Sequence, residues 1–179
     1  MKKNNIKDLV TTAVCAAIIV VCSWITVPMT VPFTLQTFAV FLALRLLGGA
    51  KGTLAITVYI LLGAVGVPVF SGFRGGPAHL LGATGGYIIG FIASGLLYWI
   101  FEKFTPEKHI IRITELTVCL LVCYAIGTVW FRFVYTSDNE MGIWAVLTTC
   151  VIPFIIPDMV KLTAAHFLAG RLKIILEKI

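Results

Sequence analysis

Charged side chains are scarce in this chain, and acidic ones are the scarcest. Among 179 residues only 8 are aspartate or glutamate, and charged residues of both signs make up 12% of the sequence. The mean hydropathy is +1.01, and 59% of the residues are hydrophobic. This composition lies far outside that of soluble globular domains. The sequence therefore predicts an all-α integral membrane protein, formed as a single transmembrane domain over residues 1–179.

Motifs of the common enzyme and nucleotide-binding classes are missing. The sequence contains no Walker motif, no GxGxxG, no HExxH and no GxSxG, so it offers no recognisable nucleotide, zinc-protease or serine-hydrolase site. Its five cysteines lie within apolar runs, without the paired spacing of zinc or disulfide frameworks. We therefore expect no catalytic residue, no metal site and no cofactor. Without a Walker motif, nothing in the chain is expected to hydrolyse ATP.

Basic residues exceed acidic ones, and the formal net charge is +6. They occur in short groups between apolar runs, as in the loops of membrane proteins, so we do not expect nucleic-acid binding. The apolar runs predict six transmembrane helices, at about residues 6–25, 33–47, 53–67, 87–101, 113–133 and 153–178. The sequence just before Pro153 is expected to form a separate short outer helix.

The distribution of the basic residues predicts the orientation in the membrane. Six spans return both termini to one side, and that side carries most of the basic residues: Lys2, Lys3, Lys7, Arg45, Lys51, Lys103, Lys108, Arg112, Arg171, Lys173 and Lys178. Only Arg74 and Arg132 fall on the other side. Because lysine and arginine concentrate in cytoplasmic loops, both termini are expected to be cytoplasmic. The first apolar run is too long for a signal-peptide core, so we expect a retained helix.

Two charged side chains lie inside the last apolar segment. Asp158 and Lys161 are three residues apart, which places both on one face of a helix. Ionisable groups at membrane depth cost roughly 2.5–3.5 kcal/mol on insertion scales and usually face a protein interior or cavity. Pro153 and Pro157 favour a cavity, since each leaves a helix carbonyl that lipid cannot satisfy. We predict a ligand pocket here; the alternative is a charge pair that only holds the last helix to a neighbour.

A second informative stretch runs from Pro68 to Gly86 and contains six glycines. It is apolar overall, so we expect it to fold back over the pocket as a lid, with glycine allowing the backbone to approach a ligand closely. Arg74 is the only cation in this loop and is the candidate contact for an anionic ligand group. His79 is expected to be a hydrogen-bonded loop residue and not a metal ligand.

Four motifs resemble those of one known family. They are Val-Pro-Phe-Thr-Leu-Gln-Thr at 31–37, Gly-Ala-Val-Gly-Val-Pro-Val-Phe at 63–70, Gly-Ala-Thr-Gly-Gly-Tyr at 82–87 and Pro-Asp-Met-Val-Lys at 157–161. Together they are similar to the BioY family, the biotin-binding S components of energy-coupling factor (ECF) transporters, over nearly the whole chain. The resemblance implies a six-helix S component in a prokaryotic plasma membrane. It also implies high-affinity biotin uptake with an ECF T component and ATPase subunits as partners.

The resemblance also implies roles for individual residues. Asp158 and Lys161 match the ligand-contacting pair of the family. Ala13 and Ala17, a small-xxx-small pair, resemble the alanine motif with which S components contact the T component. The full set of expected ligand contacts is Asp158, Lys161, Arg74, Gly75, Gln36, Phe33 and Tyr87. The sequence departs from the family at Ala83, where proline is usual, and at Arg74, where the loop usually has a small or neutral polar residue.

Biotin suits the pocket that the residues themselves predict. Its ureido ring offers two N–H donors and a carbonyl, its thioether ring is apolar, and its tail ends in a carboxylate. We expect Asp158 to accept ureido N–H bonds, and Lys161 either to donate to the ureido oxygen or to balance Asp158, since charge-assisted bonds in a dry site are strong. Arg74 could hold the carboxylate. Gln36, Phe33 and Tyr87 either line the pocket or serve plain helix packing.

Two other functions are compatible with parts of the sequence. An S component for another vitamin would keep the fold and change the pocket. An intramembrane enzyme would need to use Asp158, His79 and His166, but the sequence provides neither a second membrane aspartate nor a recognisable nucleophile or metal site. A purely structural membrane protein would leave the charged pair and the glycine-rich loop without a purpose.

Overall fold

The computed structural model describes residues 3–29, 31–135 and 142–177, with the side chains of 3–5, 135, 143 and 177 left out. Its helices are α1 (Lys3–Trp24), α2 (Gln36–Leu47), α3 (Gly49–Ala64), α4 (Pro77–Leu80), α5 (Gly85–Phe104), α6 (His109–Tyr135), α7 (Ile143–Cys150) and α8 (Ile152–Glu177). Two short strands, β1 (Thr26–Val27) and β2 (Phe33–Thr34), form an antiparallel hairpin. The all-α membrane fold expected from composition is confirmed. Lys2 and Lys178 of the predicted basic side lie outside the described residues, as does the side chain of Lys3.

Six of these helices correspond to the six predicted apolar segments. The helices α1, α5, α6 and the α7–α8 region are long and apolar enough to cross a membrane, whereas α2 and α3 are shorter apolar helices. At 1.5 Å per residue, the 12 residues of α2 extend only about 18 Å. The chain is a multi-pass membrane protein, and α7 is the separate short helix expected before Pro153.

Some helices pack against their neighbours in the sequence, and others pack against helices far away in the chain. Neighbours include α5 with α6, α2 with α8, α3 with α5, and α1 with both α2 and α3. A close approach of α3 to α5 depends on Gly49, because a Cβ atom there would lie 2.3 Å from the Cα of Trp99. The hairpin, the loop between α3 and α5, and α7 all lie at one end of the bundle, which we call the outer end. The opposite, inner end carries the basic turns.

A buried polar network closes the inner end. Arg45 of α2 bonds Glu107 (2.7 Å) and the Nδ1 atom of His166 on α8 (3.1 Å). Arg112 of α6 bonds Glu107 (3.0 Å) and Glu115 (2.8 Å). The two arginines are only 5% and 3% exposed. Glu107, in the turn between α5 and α6, therefore links α2 and α6 by bonding both cations.

We expect Glu107 to stabilise the fold in a pH-dependent way. Burial opposes ionisation of the Glu107 carboxyl, but the hydrogen bond and charge of Arg45 and the charge of Arg112 outweigh it and lower the pKa. A carboxyl whose pKa is lower in the folded protein than in the unfolded chain stabilises the fold when it is ionised. The contribution of Glu107 is therefore complete above its ordinary pKa of 4.5. It is lost as the pH falls through the lowered pKa of the folded protein. At neutral pH, Glu107→Gln should cost about 1 kcal/mol, a modest figure because the side chain is half exposed.

Thermal unfolding in detergent across a pH series, for the parent and Glu107→Gln proteins, measures this contribution. The stability difference should be full near neutral pH and vanish at acid pH, where both side chains are uncharged. A difference that stays constant with pH would mean that the Glu107 charge does not carry the effect.

Candidate functional site

Asp158 and Lys161 form a buried ion pair near the outer end of α8. The Nζ atom of Lys161 lies 2.8 Å from Oδ1 of Asp158, and Lys161 and Asp158 are 8% and 4% exposed. Their i,i+3 spacing on α8 brings the two heads together, as the sequence predicted. Pro157, inside the helix one position before Asp158, cannot donate to the carbonyl four residues earlier, so α8 carries a weakened backbone turn beside the pair.

Each member of the pair has further partners from other elements. The hydroxyl of Tyr124 on α6 donates to Oδ2 of Asp158 (2.6 Å). The ammonium of Lys161 donates to the carbonyl oxygen of Thr34 in β2 (2.7 Å) and lies 3.8 Å from the centre of the Phe33 ring. The carboxylate is therefore fixed through both oxygens, and α6, α8 and the hairpin meet at one charged group. Mutual pairing lowers the cost of burying these ions.

The pair lines a cavity of about 70 Å³, which we call the inner cavity. Gln36 and Tyr87, predicted as pocket residues, line it as well. Gln36 donates from Nε2 to the hydroxyl of Tyr59 (2.9 Å), which fixes the amide. The remaining walls are mainly apolar or aromatic, including Ile88, Phe91, Leu120, Cys123, Tyr124 and Phe154. An apolar chamber with a few convergent polar groups is the usual form of a small-molecule site.

A second, more open cavity of about 390 Å³ lies beside it, which we call the vestibule. The two cavities share Pro32, Ser71, His79 and Thr84 as wall residues. Arg74 lines the vestibule and not the inner cavity. The hairpin and the glycine-rich loop therefore form the outer walls of the site, in the place that the sequence predicted for a lid.

Two expected contacts, Phe33 and Gly75, take other positions. Phe33 is not among the inner cavity's wall residues but lies under the Lys161 ammonium and stacks on Phe154 at 6.1 Å between ring centres. Gly75 lines neither cavity. A Cβ atom at Gly75 would lie 2.3 Å from the carbonyl oxygen of Val67, so chain packing alone requires glycine there. Direct ligand contact by these two residues stays a prediction.

Comparison with known proteins places the chain in a family. The family model described as "BioY family" matches residues 1–178. The chain belongs to the BioY family. A relative from Thermotoga maritima, named biotin transporter BioY, is 38% identical over 93% of this chain and 96% of its own length. A protein from Pyrococcus horikoshii named probable biotin transporter BioY is 44% identical, over 80% of this chain and 81% of its own length.

A solved structure agrees with the family assignment at the level of fold. The S-component for biotin from an ECF-type ABC transporter matches with a TM-score of 0.86, covering 97% of this chain and 94% of its own, at 24% identity. The arrangement of α1 to α8 is therefore that of an S component. The described residues of this BioY-family chain therefore have the S-component fold that the sequence predicted.

The charged pair of this BioY chain has one side-chain partner on another helix that the sequence did not reveal. Tyr124 lies inside a long apolar run, where a tyrosine is easily assigned to packing. The sequence did contain one indication of this role, because the hydroxyl of a tyrosine near the middle of a membrane span needs a hydrogen-bond partner when it is buried. Nothing in the local sequence of α6 points to Asp158, 34 residues later.

Ala13 and Ala17 lie away from the pocket. Both are exposed on the surface of α1, one turn apart, while Cys15, Ala16 and Ile19 of the same helix are buried in the core. The alanine pair therefore faces outward from the bundle, where another helix could approach closely. Contact with a partner subunit at these residues stays a prediction.

Proposed function

We propose that this chain binds biotin at Asp158 and Lys161 and serves as the S component in ATP-driven biotin uptake. The observation that carries the proposal is the fixed, buried carboxylate–ammonium pair in the wall of a cavity that also has apolar and aromatic walls, in a chain whose relatives are named biotin transporters. This role is transport, and it requires no catalytic group in the chain.

The chemistry of the pair suits a cyclic urea. Asp158 is an acceptor with lone pairs to spare, because each carboxylate oxygen can accept more than one hydrogen bond. Lys161 has three N–H donors, two of which bond Asp158 and Thr34. Asp158 then accepts from the ureido N–H groups, and the remaining Lys161 donor reaches the ureido oxygen. The apolar walls cover the thioether ring.

Transport requires partner subunits in this proposal. The chain has no Walker motif, and the S-component fold belongs to a larger ECF-type ABC transporter in the solved neighbour. We infer that an ECF T component contacts the α1 surface at Ala13 and Ala17, and that ATPase subunits supply the energy. The bundle then reorients with its ligand, a form of alternating access.

Uptake of radiolabelled biotin by cells lacking other biotin transporters tests this function. Cells that express the chain with T and ATPase subunits should accumulate biotin. Cells whose ATPases carry an inactivated Walker lysine should bind biotin at the surface without accumulating it. Equal accumulation with active and inactive ATPases would refute the energised part of the proposal, and no biotin bound in either case would refute the ligand.

A further inference from the structure

Three polar side chains, one from each of the first three helices, form a buried chain behind the inner cavity. Gln36 of α2 donates from Nε2 to the hydroxyl of Tyr59 on α3 (2.9 Å). The same hydroxyl interacts with the hydroxyl of Ser23 on α1. Ser23 in turn bonds the carbonyl oxygens of Val20 (2.7 Å) and Val69. Tyr59 and Ser23 line neither the inner cavity nor the vestibule, so this chain of bonds meets the site only through Gln36.

The two hydroxyl residues of this chain are shut off from solvent. Tyr59 and Ser23 are both 0% exposed. The Tyr59 ring meets Phe70 edge-on, with 5.6 Å between ring centres and an angle of 87° between the planes. Phe70 in turn fills the space over Gly63, where a Cβ atom would lie 2.0 Å from its ring. Buried hydroxyls are costly unless they are bonded, so the bonds along this chain are required by its packing.

The main chain decides the direction of these bonds. A carbonyl oxygen can only accept, so the single hydroxyl proton of Ser23 is used on a carbonyl. The oxygen of Ser23 can then only accept, and the proton it receives is that of Tyr59. With its own proton used, the Tyr59 oxygen accepts from the amide of Gln36. The amide therefore turns its NH₂ group towards Tyr59, which leaves its oxygen for another partner.

The free end of the Gln36 amide belongs to the inner cavity. Gln36 is 7% exposed and lines this cavity together with Asp158 and Lys161. Its Oε1 atom accepts no hydrogen bond within the described part of the chain, yet it is not fully enclosed. The backbone N–H of Gln36 bonds Oγ1 of Thr34 (3.2 Å), and the carbonyl of Thr34 accepts from Lys161. The amide and the ion pair are thus held in one corner of the site.

We propose that Gln36 is an acceptor for a ligand N–H group, and that Tyr59 and Ser23 are positioning residues that turn its amide oxygen into the inner cavity. The proposal rests on biotin binding as proposed above, and it adds a second acceptor beside Asp158. A cyclic urea has two N–H donors, and the cavity then offers an acceptor from α2 and another from α8. A ring without these donors leaves buried acceptors unpaired, which is a strong basis for rejecting it.

Calorimetric titration of the purified, ligand-stripped full chain with biotin tests the roles of the three residues. Tyr59→Phe removes the hydroxyl and keeps the ring against Phe70, and it should weaken biotin binding about fivefold, the effect of one neutral hydrogen bond. Ser23→Ala takes away the acceptor of the Tyr59 proton, which then turns to the amide oxygen, and should cause a similar loss. Gln36→Met keeps the side-chain length without its polar atoms and should weaken binding by at least as much.

Double variants show whether Tyr59 and Ser23 act through Gln36. Tyr59→Phe or Ser23→Ala, each added to Gln36→Met, should leave the affinity within about twofold of that of Gln36→Met alone, because the amide they position is gone. Effects that arise independently would multiply. Tyr98→Phe is the matched control, since Tyr98 is also 0% exposed and its hydroxyl accepts from Arg45 (3.3 Å) at the inner end. It should leave biotin affinity unchanged.

Each result has a distinct meaning. An unchanged affinity in Tyr59→Phe or Ser23→Ala, or losses that multiply in the double variants, overturns the positioning role while leaving the biotin site intact. A parent protein that binds no biotin overturns the proposed function itself. The unfolding temperature of each variant shows that it is folded, and if Tyr59→Phe fails to fold, Ser23→Ala with its double variant decides the question.

Discussion

Replacing Asp158 by alanine is expected to abolish high-affinity biotin binding. The substitution removes the acceptor for the ureido N–H groups and leaves the Lys161 ammonium buried without its carboxylate, which lies 2.8 Å away in the intact pair. Truncating one partner of a buried charge pair costs about 3 kcal/mol, so the affinity should fall by about 100-fold or more. Tyr124→Phe, which removes only one bond to the same carboxylate, should have a smaller effect in the same direction.

The control for this prediction is Asp8→Asn. Asp8 forms an ion pair of the same length range with Lys51 (2.7 Å), but its side chain is 47% exposed and lies at the inner end. Its removal should leave biotin affinity unchanged, since exposed pairs contribute little. Calorimetry on the folded variants measures the biotin affinity of Asp158→Ala and of Asp8→Asn. Tight biotin binding by Asp158→Ala would show that the ligand does not bind at the charged pair.

The double substitution Ala13→Leu and Ala17→Leu is expected to stop biotin uptake without weakening biotin binding. Both alanines are exposed on α1, so the larger side chains fit the isolated protein but hold an approaching helix away. A loss of about 1.4 kcal/mol of packing already reduces association with the T component tenfold. Uptake by cells with the complete transporter, and biotin binding by the purified variant, measure the two effects separately.

Ala125→Leu is the matched control for the alanine pair. Ala125 is an exposed alanine of α6, beside the apolar side chains of Ile126 and Val129, and a leucine there should leave uptake unchanged. Normal uptake by the Ala13/Ala17 double variant would show that the α1 surface is not the contact. Loss of binding by that variant would show that the leucines disturb the fold instead.

The helices and the charged pair were predictable because they depend on local sequence. Hydropathy located the apolar segments, and the three-residue spacing alone was enough to place Asp158 beside Lys161 on one face of α8. The short length of α2, 12 residues, was also visible in the sequence. These features need only periodicity, length and the cost of charge in lipid.

The partners of the pair and the inner network were not predictable, because they join residues far apart in the chain. Arg45 and Arg112 were assigned only to the basic, cytoplasmic side, yet each is buried and bonded to Glu107. Hydropathy windows count such charges but carry no information about which distant acid neutralises them. Tyr124 was likewise hidden, since its bond to Asp158 depends on how α6 packs against α8.

Competitive titration of the purified, ligand-stripped protein is the most direct test of the central claim that the Asp158–Lys161 cavity is a biotin site. The account predicts saturable biotin binding with one ligand per chain, unaffected by an excess of riboflavin or thiamine and lost in Asp158→Ala. Displacement of biotin by another vitamin, or no biotin binding by protein that is folded and monodisperse, would contradict it.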